Sequence, residues 1–156
     1  MLMIPRAYVN NAMWAANSGD YAQAAGILNS EILKNSMRSS ILRLNYTALT
    51  GDHEQFDEVF DSLKKPNSEA YYLFTKTLLQ RGMVEEAAET AKLCVEHAPY
   101  YLRSYELMEE VRRNMPEGDI RENYAEKISE LKEKALERIH PLAGYVPYNR
   151  GLGQRY

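Results

Sequence analysis

The sequence predicts an all-α protein of about eight helices that pair as antiparallel hairpins. The helix formers Ala, Leu, Glu, Lys and Met dominate the chain, and Val is scarce. Apolar residues recur with a helical period between short breaks that contain Gly, Pro, Asn or Asp. With 45% hydrophobic and 26% charged residues, the 156-residue chain can bury a core as one soluble domain.

Gly-Asp pairs separate the first helices. A first helix over residues 6–17 ends before Gly19, which can adopt the left-handed conformation that closes a helix. Asp20 is a good N-cap for a second helix over 20–34, which breaks at Asn35–Ser36. The apolar face predicted for this second helix is Ala24, Ala25, Leu28 and Ile32.

The same Gly-Asp break follows the third helix. That helix covers residues 37–50 and ends at Gly51, and Asp52 begins a fourth helix over 52–64. Apolar residues at i, i+3, i+4 and i+7 make the fourth helix amphipathic. They are Phe56, Val59, Phe60 and Leu63.

Proline and glycine divide the second half of the chain. The break 64–68 caps a fifth helix over 69–81, Gly82 makes the next turn, and the sixth helix ends at Pro99. A seventh helix covers 100–114 and ends before the break at 116–119.

The eighth helix is the longest, at about 119–139, and Pro141 is predicted to stop it. Its charged residues form a solvated face. Its apolar stripe could cap the array internally or pair with a second copy in a homodimer. The stripe is Tyr124, Ile128, Leu131, Ala135 and Ile139.

The turn glycines recur with a period. Gly19, Gly51, Gly82 and Gly118 lie 32, 31 and 36 residues apart. A period in the low thirties is typical of a two-helix repeat that must stack on its neighbours to bury its apolar face.

The unit at residues 68–101 resembles the tetratricopeptide repeat (TPR) family, whose pattern positions here read Tyr71, Phe74, Thr75, Leu78, Gly82, Ala87, Cys94 and Pro99. Thr75 replaces the usual small Gly or Ala, and Cys94 takes a small position that Ala usually holds. The resemblance extends over roughly residues 5–139 and implies a right-handed superhelix of stacked hairpins. The middle unit departs from the pattern, because Phe56 stands where a small residue is expected. The sequence thus divides into a TPR-like domain, 1–140, and a C-terminal tail, 141–156.

In TPR arrays one face of each unit's first helix lines a concave groove, which suits an extended peptide or a helix. The chaperone-binding members hold a terminal carboxylate with a Lys/Asn/Arg clamp, and this clamp is absent here, since its positions hold Val9, Met13, Leu42, Glu69 and Leu73. The predicted peptide-binding residues are Met13, Asn17, Arg38, Asn45, Tyr72, Lys76, Gln80, Arg103, Glu106 and Glu110.

The tail is rich in Tyr, Gly and Pro and has no acidic residue. Its aromatic side chains would be costly to leave in water, so we expect it to dock on the array or on a partner. The predicted docking residues are Tyr145, Tyr148, Arg150 and Tyr156.

No enzymatic, metal or cofactor site is predicted. The three His residues lie far apart and outside metal-binding motifs, and Cys94 is predicted to be a packed core thiol. A net charge of −3 gives no indication of nucleic-acid binding. The N-terminus makes a poor signal peptide and no apolar run could span a membrane, so we expect a cytoplasmic protein.

The sequence therefore predicts a non-enzymatic protein–protein interaction module, an adaptor or scaffold that binds a protein or peptide partner. Two alternatives remain open at this point. One is a small secretion or assembly chaperone that shields a partner. The other is a soluble regulatory domain of a larger protein, for example a membrane-associated one.

Overall fold

Eight α-helices and no strands make up the regular structure of residues 3–33 and 35–143, the part of the chain that the computed structural model describes. Side chains are described for residues 5–33 and 35–138. The predicted all-α class is confirmed. The helices are α1 (Met3–Asn17), α2 (Tyr21–Leu28), α3 (Met37–Thr50), α4 (His53–Asp61), α5 (Ser68–Gln80), α6 (Val84–His97), α7 (Leu102–Arg113) and α8 (Asp119–Ala143).

The predicted caps begin the helices as expected. The carboxylates of Asp20 and Asp52 each accept a hydrogen bond of 3.0 Å from the backbone N–H three residues further on, which begins α2 and α4. The side chain of Asn67 does the same for α5, at 2.9 Å. These bonds satisfy N–H groups that the first turn of a helix leaves without partners.

The turn between α5 and α6 depends on a left-handed glycine. Gly82 has a φ of 77°, and the N–H of Met83 returns to the carbonyl of Leu78. A residue with a Cβ is strained in this conformation. Gly19, for which the left-handed conformation was predicted, has a φ of 86°, and Gly51 has a φ of 79° in the turn between α3 and α4.

We expect Gly82→Ala to lower the free energy of unfolding by about 1–2 kcal/mol because of this strain. Gly26→Ala is the matched control, since Gly26 lies inside α2 and a Cβ there would meet no atom within 4 Å. It should raise stability by about 0.5–1 kcal/mol. Urea denaturation followed by circular dichroism measures both changes. A Gly82→Ala protein as stable as the wild type would contradict this account of the turn.

Helix α2 is shorter than predicted and ends at Leu28 rather than at residue 34. The N–H of Asn29 turns back to the carbonyl of Gly26, and the hydroxyl of Ser30 accepts a bond from the N–H of Ile32. A Ser side chain often competes with the helix for backbone N–H groups in this way. Ile32 is therefore about half exposed, and the prediction that it lies on the buried face is wrong. Leu33 is buried in its place.

Proline does not interrupt the two terminal helices. Pro5 lies in the first turn of α1, where a missing N–H costs nothing, and α1 begins three residues earlier than predicted. The prediction that Pro141 stops α8 is wrong, because the helix continues to Ala143. Pro141 lies in the last turn of α8, so the bond that its missing N–H cannot donate is one of the last of the helix.

The contacts between α5 and α6 show an antiparallel hairpin. Near the turn, Met83 bonds to Leu78, and midway along the helices the hydroxyls of Thr75 and Thr90 lie 2.7 Å apart. At the far end the thiol of Cys94 donates to the carbonyl of Ser68. The partners separate steadily in sequence, as they must when a chain folds back on itself.

Helix α8 covers the end of the array. Tyr124 and Ile128 are buried in the same cluster as Met108 and Val111 of α7, and the Tyr124 hydroxyl donates a 3.1 Å bond to the carbonyl of Ala88 in α6. The described part of the predicted stripe thus caps the array internally. The side chain of Ile139 lies outside the described side chains.

Candidate functional site

A cavity of about 390 Å³ lies where four alternate helices, α1, α3, α5 and α7, meet. Helix α3 packs on α5, and α5 packs on α7, which brings their first turns to the cavity. Its lining contains five of the predicted peptide-binding residues: Met13, Arg38, Asn45, Tyr72 and Arg103. The remaining lining residues are Val9, Ser39, Ile41, Leu42, Glu69 and Leu73.

A second cavity of about 190 Å³ adjoins the first and shares Glu69, Tyr72 and Arg103 with it. Tyr101 lines this second cavity and exposes 67% of its surface. We call the two cavities together the groove. Tyr101 was not among the predicted peptide-binding residues, although its position at the start of α7, near Arg103, was a signal for it.

The guanidinium of Arg103 lies over the ring of Tyr72, 4.0 Å from its centre. This cation–π contact fixes both side chains at the junction of the two cavities. Arg38 and Glu69 also face the groove. Among the described side chains, none of the three charged groups has an ion-pair partner within 4 Å.

The other predicted residues lie outside the groove lining. The ammonium of Lys76 donates to both carboxylate oxygens of Glu110, at 2.9 and 3.0 Å, so these two residues pair with each other across α5 and α7. Asn17, Gln80 and Glu106 are exposed and line neither cavity. Their assignment as binding residues stays a prediction.

Cys94 lies at the base of the smaller cavity and is buried, as predicted for a core thiol. Burial raises its pKa, which outweighs the opposing effects of the Ser104 hydroxyl and the Arg103 charge. A thiol held neutral in this way is a poor nucleophile. Within the described residues, no three His, Cys, Asp or Glu side chains are grouped as metal ligands.

Sequence reasoning missed a larger cavity, of about 720 Å³, between the α5–α6 turn and the α7–α8 turn. Met83 and Ile120 form exposed apolar walls, and the buried Met115 lies beneath them. Two exposed apolar residues beside turn glycines were the signal that could have indicated it.

The predicted tail-docking residues, Tyr145, Tyr148, Arg150 and Tyr156, lie outside the described residues. In the described part of the chain, no helix is both long enough and apolar enough to cross a bilayer. The chain matches no protein-family model, no curated protein and no solved structure.

Proposed function

We propose that this protein is a non-enzymatic, TPR-like interaction module that binds an extended segment of a partner protein in the groove. The observation that carries the proposal is a cavity that α1, α3, α5 and α7 line together. Stacked two-helix repeats create such a cavity, because the first helix of every unit faces the same side.

The chemistry of the groove supports a peptide ligand. Met13 and Leu73 offer apolar contacts, Asn45 can both donate and accept hydrogen bonds, and Arg103 and Tyr72 combine charge with an aromatic face. Protein–protein interfaces likewise combine an apolar centre with polar groups and are enriched in Tyr, Met and Arg.

Replacing both Tyr72 and Arg103 by Ala should abolish partner capture, because Tyr and Arg dominate binding energy at interfaces. Affinity purification with the full chain, followed by mass spectrometry, measures the loss. The matched control is Tyr100→Ala with Arg121→Ala, which removes the same side-chain types outside the groove and should retain the partners. If the Tyr72/Arg103 variant captured the same partners as the wild type, the proposed function would be wrong.

A further inference from the structure

The groove holds two cations that helix stability does not explain. Arg38 is the second residue of α3 and Arg103 the second residue of α7, and neither helix has an acidic residue in its first turn. A cation near a helix N-terminus is unfavourable, because the backbone dipole is positive there. Glu69, the second residue of α5, has the favourable sign.

The groups that face the groove leave an excess of positive charge. Arg38 and Arg103 stand against the single carboxylate of Glu69. Lys76 and Glu110, further along α5 and α7, neutralise each other in their ion pair. One further carboxylate would therefore neutralise the net positive charge of the groove.

The position of Arg103 suits a planar acceptor. Its guanidinium stacks on Tyr72, which leaves the N–H donors in the plane of the group free to bond outward. A carboxylate can accept two such bonds side by side. Burying the carboxylate between Arg38 and Arg103 would supply the anion that both cations lack.

Apolar surface lies on both sides of Arg103. Towards α1, Met13 exposes 47% of its surface beside Val9 and Leu42. On the other side of Arg103 lies the exposed ring of Tyr101. Each of the two cavities that meet at Arg103 thus offers apolar surface.

We infer that the partner segment carries an Asp or Glu side chain between apolar residues, and that the groove binds this side-chain carboxylate rather than a chain terminus. The inference rests on the proposed function. An internal segment fits because Arg103 lies where the two cavities meet, so the ligand chain can continue into a cavity on either side.

Display of short random peptides tests the inference with the full chain as bait. Each peptide is fused to its carrier through its C-terminus, so that no free terminal carboxylate is present. Selection should enrich an Asp or Glu with apolar residues on both sides. A parallel library with free C-termini is the comparison. If only that library yielded binders, terminal capture would replace the inference.

Charge-matched variants locate the effect. Arg38→Gln with Arg103→Gln should weaken binding of a selected peptide about tenfold. Arg121→Gln with Arg138→Gln removes the same charge outside the groove and should leave the affinity unchanged. Equal losses in the two variants, or enrichment of peptides without carboxylates, would overturn the inference.

The Tyr72→Ala variant distinguishes a wrong carboxylate preference from a wrong proposed function, because it alters the groove without changing the charge of the groove. If uncharged peptides were selected and lost affinity in Tyr72→Ala, only the carboxylate preference would be wrong. If no peptide were selected, or if the selected peptides bound Tyr72→Ala as well as wild type, groove binding itself would be wrong.

Discussion

Replacing Phe56 by Ala is expected to lower the free energy of unfolding by about 3–5 kcal/mol. Phe56 has no exposed surface, and its ring lies 6.0 Å from that of Phe74, centre to centre. It joins α4 to α3 and α5 in a cluster with Leu44 and Ala70. Truncation to Ala would remove most of the side chain and leave a cavity. The surrounding helices, α3, α4 and α5, could relax to fill that cavity only in part.

Trp14→Ala is the control for this prediction. It also removes a large aromatic side chain from a helix, but Trp14 is 76% exposed, so we expect a change within about 0.5 kcal/mol. Urea denaturation followed by far-ultraviolet circular dichroism measures both variants. A loss of less than about 1 kcal/mol for Phe56→Ala would show that the middle helices do not depend on this residue.

Ile128→Ala should destabilise the protein by about 2–5 kcal/mol. Ile128 is 2% exposed and packs, with Tyr124 of α8, into the cluster that contains Met108 and Val111 of α7. The loss should therefore loosen α8 from the array. Hydrogen exchange should show faster exchange of α8 amides than in the wild type.

Leu136→Ala provides the comparison on the same helix. Leu136 is 63% exposed, and Leu and Ala are both good helix formers, so a change within about 0.5 kcal/mol is expected. Equal losses at positions 128 and 136 would mean that α8 contributes helix propensity alone. The internal cap would then be wrong.

Local chemistry made most helix boundaries predictable. Asp20, Asp52 and Asn67 can cap a helix, and Gly82 can take a positive φ, through interactions with their immediate neighbours. Two helix ends were predicted wrongly, those of α2 and α8. Ser30 draws the backbone out of α2, and α8 continues past Pro141.

Phe56 shows how tertiary packing accommodates a residue that the repeat pattern does not expect. A small residue was expected at this position, yet the ring is completely buried. Ala70, on α5, belongs to the same cluster. Which side chains from neighbouring helices surround a residue cannot be inferred from one position of a repeat.

The sequence predicted which helices line the groove, but it did not predict which charged side chains pair with each other. The resemblance to a repeat family indicated the faces of α1, α3, α5 and α7, and Met13, Arg38, Asn45, Tyr72 and Arg103 do converge. The bond from Lys76 to Glu110 joins residues 34 positions apart. Such long-range pairing depends on how the helices stack, which the sequence alone did not specify.

The most direct test of groove binding is a titration of the isotope-labelled full chain with the tightest selected peptide, followed by the chemical shifts of the backbone amides. We expect the largest changes at Met13, Asn45, Tyr72 and Arg103, around the two joined cavities. Changes confined to the turns at residues 82–86 and 114–120 would instead place the ligand in the larger cavity, and would contradict the proposed function.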